Sequence, residues 1–219
     1  MANENQPRHR QASRLARKRG KRELYDRVLI VCEGEKTEPQ YLEALRIELR
    51  LASASVRILP SQIGTEPRQI VDFAESTFRG SPVFDRIYVV FDRDSHLTYH
   101  DALSLAERLH HKLRNDEKKR VPFIAIPSVP CFELWLLLHF EQIHDFHHRD
   151  EMHTRLKEHI PGYHKSMRDV YAQTKGNIET ASKHAAFLRT KHNARNGTDP
   201  YTDMDQLVTA LATLRPSTG

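Results

Sequence analysis

The sequence predicts an α/β fold: a mostly parallel four-stranded sheet flanked by helices, preceded by a basic arm and followed by a helical extension. Three observations carry this reading. Four short apolar runs, at residues 27–32, 56–60, 87–91 and 123–126, alternate with segments of helical apolar spacing, and such β-α-β alternation with right-handed crossovers gives a parallel sheet. The first run is almost continuously apolar, as in a strand buried on both faces. Two of the runs stop abruptly on acidic residues, the place where parallel sheets present ligand-binding groups.

Taken in order, residues 1–24 lack apolar periodicity and are expected to be disordered without a partner. The first strand ends in Cys32-Glu33-Gly34-Glu35. Thr37-Glu38-Pro39 then reads as a helix start, since proline suits a first turn, and Tyr41, Leu42, Leu45 and Leu49 follow at helical spacing. A second strand at 56–60 closes on Pro60, and Gly64 and Pro67 lead into a helix with Ile70, Val71, Phe73, Ala74 and Phe78 inward, broken by Gly80-Ser81-Pro82. The third strand runs directly into Asp92-Arg93-Asp94. A long helix is expected over 98–118, with Lys118, Lys119 and Arg120 placed to suit its dipole. After the fourth strand comes a short apolar helix within 130–140 carrying Trp135, then a polar, histidine-rich stretch over 144–172. Two final helices are expected over 175–192 and 203–214, separated by Asn196-Gly197 and Asp199-Pro200 turn signals. The expected organisation is a basic arm at 1–24, a catalytic core at 25–140 and a mainly helical extension at 141–219 packed on that core.

Length and composition bound the function. A chain of 219 residues can bury a substantial core. Its longest apolar stretch, 132–140, contains Glu133 and His139 and falls short of the about 20 residues a membrane span needs. With no apolar h-region at the N-terminus, the expected location is the cytoplasm, where Cys32 and Cys131 remain reduced core thiols. The formal charge is +5, but residues 1–22 hold eight Arg or Lys against Glu4 alone, so the rest of the chain is slightly acidic. Arg14, Arg17, Lys18, Arg19, Lys21 and Arg22 are candidates for gripping a nucleic-acid backbone by counterion release. A solvated tail is the alternative for that arm.

The chemistry is expected where the strands end. Glu33 follows the first strand, Asp92 and Asp94 the third, and Glu133 the fourth. Close carboxylates repel unless a cation lies between them, and an all-oxygen site favours hard ions, Mg²⁺ or Mn²⁺. Alternate residues of an extended segment share a face, so Asp92 and Asp94 are expected together and Arg93 elsewhere. Glu38, in the first turn of the first helix, and Glu133 would complete a second ion site. A single acid after a strand commonly caps the next helix; three such blocks together are what point to a site. Lys165 is a candidate for holding a phosphate. His139, His144, His147, His148 and His153 are candidates for a zinc site, above all His144 with His148 at i,i+4 spacing, but there is no His-Glu-x-x-His motif around them. Phosphate loops, nucleophile elbows and dinucleotide fingerprints are absent.

The blocks Val31-Cys32-Glu33-Gly34-Glu35-x-Thr37-Glu38-Pro39-x-Tyr41, Phe91-Asp92-x-Asp94 and Pro130-Cys131-Phe132-Glu133-Leu134-Trp135 resemble the RloB-like family, whose body resembles a Toprim domain. That resemblance covers roughly residues 26–215. It implies that Glu33, Asp92 and Asp94 hold Mg²⁺ for phosphoryl transfer and that Glu133 stands where related overcoming-lysogenization-defect nucleases place a further acid. It departs from many Toprim domains at Ser95-His96, where they carry a glycine. The resemblance further implies a metal-dependent nuclease acting on DNA or RNA in bacterial anti-phage defence (abortive infection) beside an AAA/ABC-type ATPase, and it is compatible with a homo-oligomer. A non-catalytic, metal- or nucleotide-binding regulatory subunit of such an ATPase is the alternative.

Overall fold

A computed structural model describes residues 26–145, 148–195 and 200–214. The basic arm with Arg14, Arg17, Lys18, Arg19, Lys21 and Arg22, as well as His147 and the Asn196-Gly197 turn, lies outside the described residues.

Four parallel strands form the centre of the molecule: β1 (Val28–Cys32), β2 (Val56–Pro60), β3 (Arg86–Asp92) and β4 (Phe123–Val129). A fifth, β5 (Tyr201–Thr202), lies antiparallel to β4, and the sheet order is β2-β1-β3-β4-β5. Strand periodicity divides the core between the two faces. Val28, Ile30 and Cys32 of β1 pack with Tyr41, Leu42 and Leu45 of α1 (Thr37–Glu48), whereas Leu29 and Val31 pack with Ile70, Val71 and Ala74 of α2 (Pro67–Gly80). The second face is completed by α3 (Tyr99–Leu109). Both cysteines are free and buried.

The first face is covered by the C-terminal helices as well as by α1. Leu134, Trp135, Leu136, Leu137 and Leu138, in and just after α4 (Glu133–Leu137), share one apolar cluster with Met152 and Leu156 of α5 (Arg149–His159). Val170 and Tyr171 of α6 (Val170–Thr174), Ala181, Ala185 and Leu188 of α7 (Ile178–Lys191), and Leu207 and Leu211 of α8 (Met204–Ala212) belong to the same cluster. Arg189 ties this part together: its guanidinium reaches both carboxylate oxygens of Asp205 at 2.5 and 2.6 Å and the Thr202 carbonyl at 3.1 Å. Among the described residues no helix is long and apolar enough to cross a membrane.

Three elements differ from the expectation. The sheet has five strands rather than four, because a two-residue strand that follows a turn is too short to show a pattern. The helix expected over 98–118 ends at Leu109. His111 takes a left-handed φ of 57°, and the chain folds back so that Arg114 bridges Arg120. Lys118, Lys119 and Arg120 therefore sit in a hairpin and do not close a helix. Finally, β4 continues through Pro127 to Val129. Bonds from Ile87 N to Pro122 O and from Arg93 N to Ser128 O turn the even-numbered β4 groups toward β3. Pro127 thus faces the other side, where β5 pairs only Ser128 and Val129, so its missing N–H costs no ladder bond.

His139 gives this core a pH dependence. It is buried, its Nδ1 lies 2.9 Å from the Trp135 carbonyl, and burial depresses its pKa from the usual value to about 4. Between about pH 4 and 6.5 the unfolded chain binds a proton there that the folded protein refuses, so stability falls as pH drops through that window, by about 3 kcal/mol. Urea unfolding is expected to show this loss in the wild type and to lack it in His139→Leu, compared at matched pH.

Candidate metal centre

The sheet order places β1 beside β3, the point at which crossovers leave in opposite directions and where an open α/β sheet has its crevice. A cleft of about 590 Å³ lies there, at the carboxyl ends of β1, β3 and β4. Glu33, Glu38, Asp92, Asp94, Glu133 and Lys165 all line it, with Glu35 at an exposed position.

Each acid is delivered by local structure. Glu33 continues the ladder past β1 through its own N–H to the Val90 carbonyl (3.0 Å), and its Oε2 accepts the Asp92 N–H at 2.8 Å. Asp92 is the last residue of β3 and is 5% exposed. Glu38 lies in the first turn of α1 and folds back over Gly34: a Cβ added at Gly34 would stand 2.9 Å from the Glu38 carboxyl carbon. That close approach is the reason a glycine suits this turn. Glu133 opens α4 directly after the Pro130-Cys131-Phe132 corner.

Asp94 does not stand on an extended segment with Asp92. Its φ is 40°, in the left-handed region, and its N–H bonds to the Pro130 carbonyl at 2.9 Å. Its carboxylate still reaches the cleft, where Arg149 of α5 forms an ion pair with it. Glu133 is approached by groups from the C-terminal part of the chain: the Tyr163 hydroxyl donates to it at 3.1 Å, and His153 Nε2 lies 3.5 Å away. Lys165 is held by its carbonyl, which accepts the Thr37 hydroxyl at 2.6 Å.

These surroundings divide the carboxyls into two kinds. Burial, followed by repulsion from Glu33, Glu38, Glu133 and Asp94, raises Asp92 well above the carboxylate range. Burial raises Glu38 to about 7, with Glu133 and Glu33 adding to it and Lys165 opposing. Glu33 is also raised by burial, although the Asp92 N–H and His96 oppose the rise. Burial acts in the same direction on Glu133, but His153 and Lys165 outweigh it and hold that group below its ordinary value. The carboxyls of the cleft are therefore frustrated at Asp92 and Glu38 and satisfied at Glu133.

Several residues at this site were not among the candidates. His96 stands between two glutamates, 3.4 Å from Glu33 and 3.1 Å from Glu66, and Thr98 donates to Glu66 at 2.7 Å. Burial opposes protonation of His96, but the two carboxylates outweigh it and raise its pKa. Its position two residues beyond Asp94 was the available signal. Arg149 and Tyr163 gave none, since only folding brings them more than fifty residues back to Asp94 or thirty to Glu133, and His153, a candidate for zinc alone, stands beside Glu133 instead. The zinc pair does not form: His148 caps α5 and His144 precedes that helix.

A model of the RloB-like protein family matches residues 28–211, a span that contains every strand and all of the acids. The chain belongs to the RloB-like family. No curated protein and no solved structure matches it.

Proposed function

We propose that this RloB-like protein is a divalent-metal-dependent, Toprim-type nuclease that hydrolyses phosphodiester bonds in DNA or RNA. The observation that carries the reading is Asp92, a buried carboxylate facing four others at the end of a central parallel strand. Among the described residues no three His, Cys, Asp or Glu side chains are already gathered to hold an ion. The donor chemistry nevertheless fits one: the set is all oxygen, crowded and short of positive charge at Asp92, which suits Mg²⁺ or Mn²⁺.

Glu33, Asp92 and Asp94 would hold a first ion, and Glu38 with Glu133 a second. When bound, such ions supply positive charge to phosphate oxygens and acidify water at neutral pH. The protein contributes the rest. Lys165 and Arg149 present cations to a phosphate entering the cleft, and His96, held by Glu66, keeps the Glu33 carboxylate oriented. To serve as a ligand Asp94 would have to give up its ion pair with Arg149. The basic arm supplies sequence-independent attraction to the substrate backbone. The family resemblance supports a cytoplasmic role in anti-phage defence with a partner ATPase.

One observation favours the regulatory reading instead: Asp94 is already neutralised by Arg149, so the cleft can exist without an ion as a sensor of metal or nucleotide. Two measurements separate the readings, cleavage of nucleic acid and function of the Asp92→Ala variant. Labelled DNA and transfer RNA, incubated with protein, partner and Mg²⁺, are expected to be cut, and Glu33→Gln is expected to slow cutting by about a hundredfold or more. Defence that survives in Asp92→Ala would favour the regulatory subunit.

A further inference from the structure

Between α3 and β4 the chain makes a short hairpin in which Arg114 and Arg120 are antiparallel partners. The flanking bonds run from Val121 N–H to the Leu113 carbonyl and from Asn115 N–H to the Lys119 carbonyl, both at 3.0 Å. That pattern makes the arginines a non-hydrogen-bonded pair, the kind that brings two side chains closest. Leu113, Asn115 and Val121 are buried, so alternation turns both guanidinium groups outward, and both residues are exposed. Arg114 also donates to the carbonyl of the exposed Lys118 at 2.8 Å. The acids of the hairpin are engaged elsewhere, Asp116 by Arg27 at 3.0 Å and Glu117 by Lys119 at 3.1 Å. Among the described residues no carboxylate pairs with Arg114, Lys118 or Arg120. Like charges directly opposite one another are destabilising, and an anion lying across the pair relieves that repulsion.

We infer that this hairpin is a docking surface for a nucleic-acid backbone, separate from the acid cleft. It is held firmly on the body: Asn115 donates to Asp85 and the Asp116 N–H to the Pro82 carbonyl, both at 2.7 Å. The hairpin leads into the amino end of β4, whereas the cleft lies at the carboxyl ends of the strands, and the seven residues of β4 put the two about 20 Å apart. Arg27, which Asp116 holds, immediately precedes β1, so the basic segment 1–22 joins the described chain beside the same hairpin. The surface suits phosphates better than an acidic protein. Among the described residues the large hydrophobic side chains left exposed are Ile47, Ile63 and Leu97, none of them on the hairpin. Protein partners are gripped through buried apolar and aromatic anchors, whereas nucleic-acid interfaces are polar and strongly positive, and guanidinium forks match phosphodiester oxygens. A duplex docked on the hairpin and cut in the cleft has to cover about 20 Å, or about six base pairs, which sets a minimum substrate length. This deepens the proposed nuclease function and rests on it for the word substrate; the docking itself is tested without cleavage.

The test is fluorescence anisotropy of a labelled DNA duplex of about 20 base pairs, long enough to reach both places, across a salt series in EDTA, where no cutting occurs. Arg120→Gln is expected to weaken binding about tenfold, the loss of one charge-assisted contact. It should also flatten the slope of log K against log salt by about 0.9, and Arg114→Gln combined with it by about 1.8. Arg120→Lys is expected to keep the wild-type slope. Since Arg120→Gln removes a like-charge opposition, its melting temperature in low salt should equal or exceed that of the wild type, which a structural role for the arginine would not allow. Unchanged affinity and slope in the double variant would overturn the docking surface even if the wild type cleaves. Equal losses in Arg120→Lys and Arg120→Gln, with a lowered melting temperature in both, would also overturn it. Polyglutamate that binds through these arginines while the duplex does not would assign the surface to an acidic protein and overturn the nucleic-acid reading. An Arg120-dependent slope in a protein that cuts neither DNA nor RNA would keep the surface and sink the nuclease.

Discussion

Asp92→Asn is expected to lower metal-dependent cleavage by about a thousandfold while making the metal-free protein more stable. The two effects share one cause. Asp92 is buried against Glu33, Glu38, Glu133 and Asp94, and its folded pKa is raised well above its unfolded value. A carboxyl of this kind is equally protonated in both states at low pH. As pH rises through the unfolded pKa and toward the folded one, the unfolded chain loses its proton first, so stability is lost as pH rises. Glu38 acts in the same direction between the usual glutamate value and about 7. Asparagine preserves the shape of the side chain and removes the charge. The expected gain at about pH 8 is about 1–2 kcal/mol, or about 2–8 °C in melting temperature for a chain of this size. Scanning calorimetry in EDTA, beside the cleavage assay, reads both. A variant less stable than the wild type at that pH would show that Asp92 is a stabilised group and that the site is no frustrated ion cradle.

The second large effect concerns the fragment 26–140, which ends where the catalytic core was expected to end. It is expected not to fold. Leu134, Trp135, Leu136, Leu137 and Leu138 are fully buried in a cluster completed by Met152, Leu156, Ala181, Ala185, Leu188, Leu207 and Leu211. Exposing even three such side chains costs about 5–9 kcal/mol, comparable to the about 5–15 kcal/mol that keeps a domain folded. The fragment also loses β5 from the sheet and the Tyr163, His153 and Lys165 groups around Glu133. Trp135 is the only tryptophan, so near-UV circular dichroism reports directly on its packing. A fragment with a native tryptophan signal and cooperative melting would show that 141–219 is an appendage after all.

These two cases also show what could be read in advance. The parallel sheet was legible because each central strand is a short apolar run closed by a turn signal, and β1 is buried on both faces as its continuous Val28-Leu29-Ile30-Val31 run implies. Glu33 and Asp92 were legible because each closes an apolar run, and Glu133 because it opens the apolar stretch that follows the fourth strand, so their convergence follows once the strands are parallel and adjacent. Glu38 was legible from its place in the first turn of the helix that follows the acidic loop. By contrast, Arg149, His153 and Tyr163 lie in a polar stretch without periodicity, and their approach to Asp94 and Glu133 depends on how α5 packs against α4. The hairpin after Leu109 was hidden for a different reason. Leu113 keeps the apolar spacing of α3, yet it is buried from a chain that has already reversed, its carbonyl accepting the Val121 N–H. Spacing alone does not distinguish those two ways of burying a leucine.

The central claim is that the carboxylates of this cleft hold a divalent cation. Calorimetric titration of Mg²⁺, repeated with Mn²⁺, into wild-type protein and into Asp92→Asn measures it without reference to any substrate. The account predicts saturable binding of one or two ions by the wild type, a rise in its melting temperature with added metal, and loss of both in the variant. Equal binding by the two proteins, or none by the wild type, would contradict it.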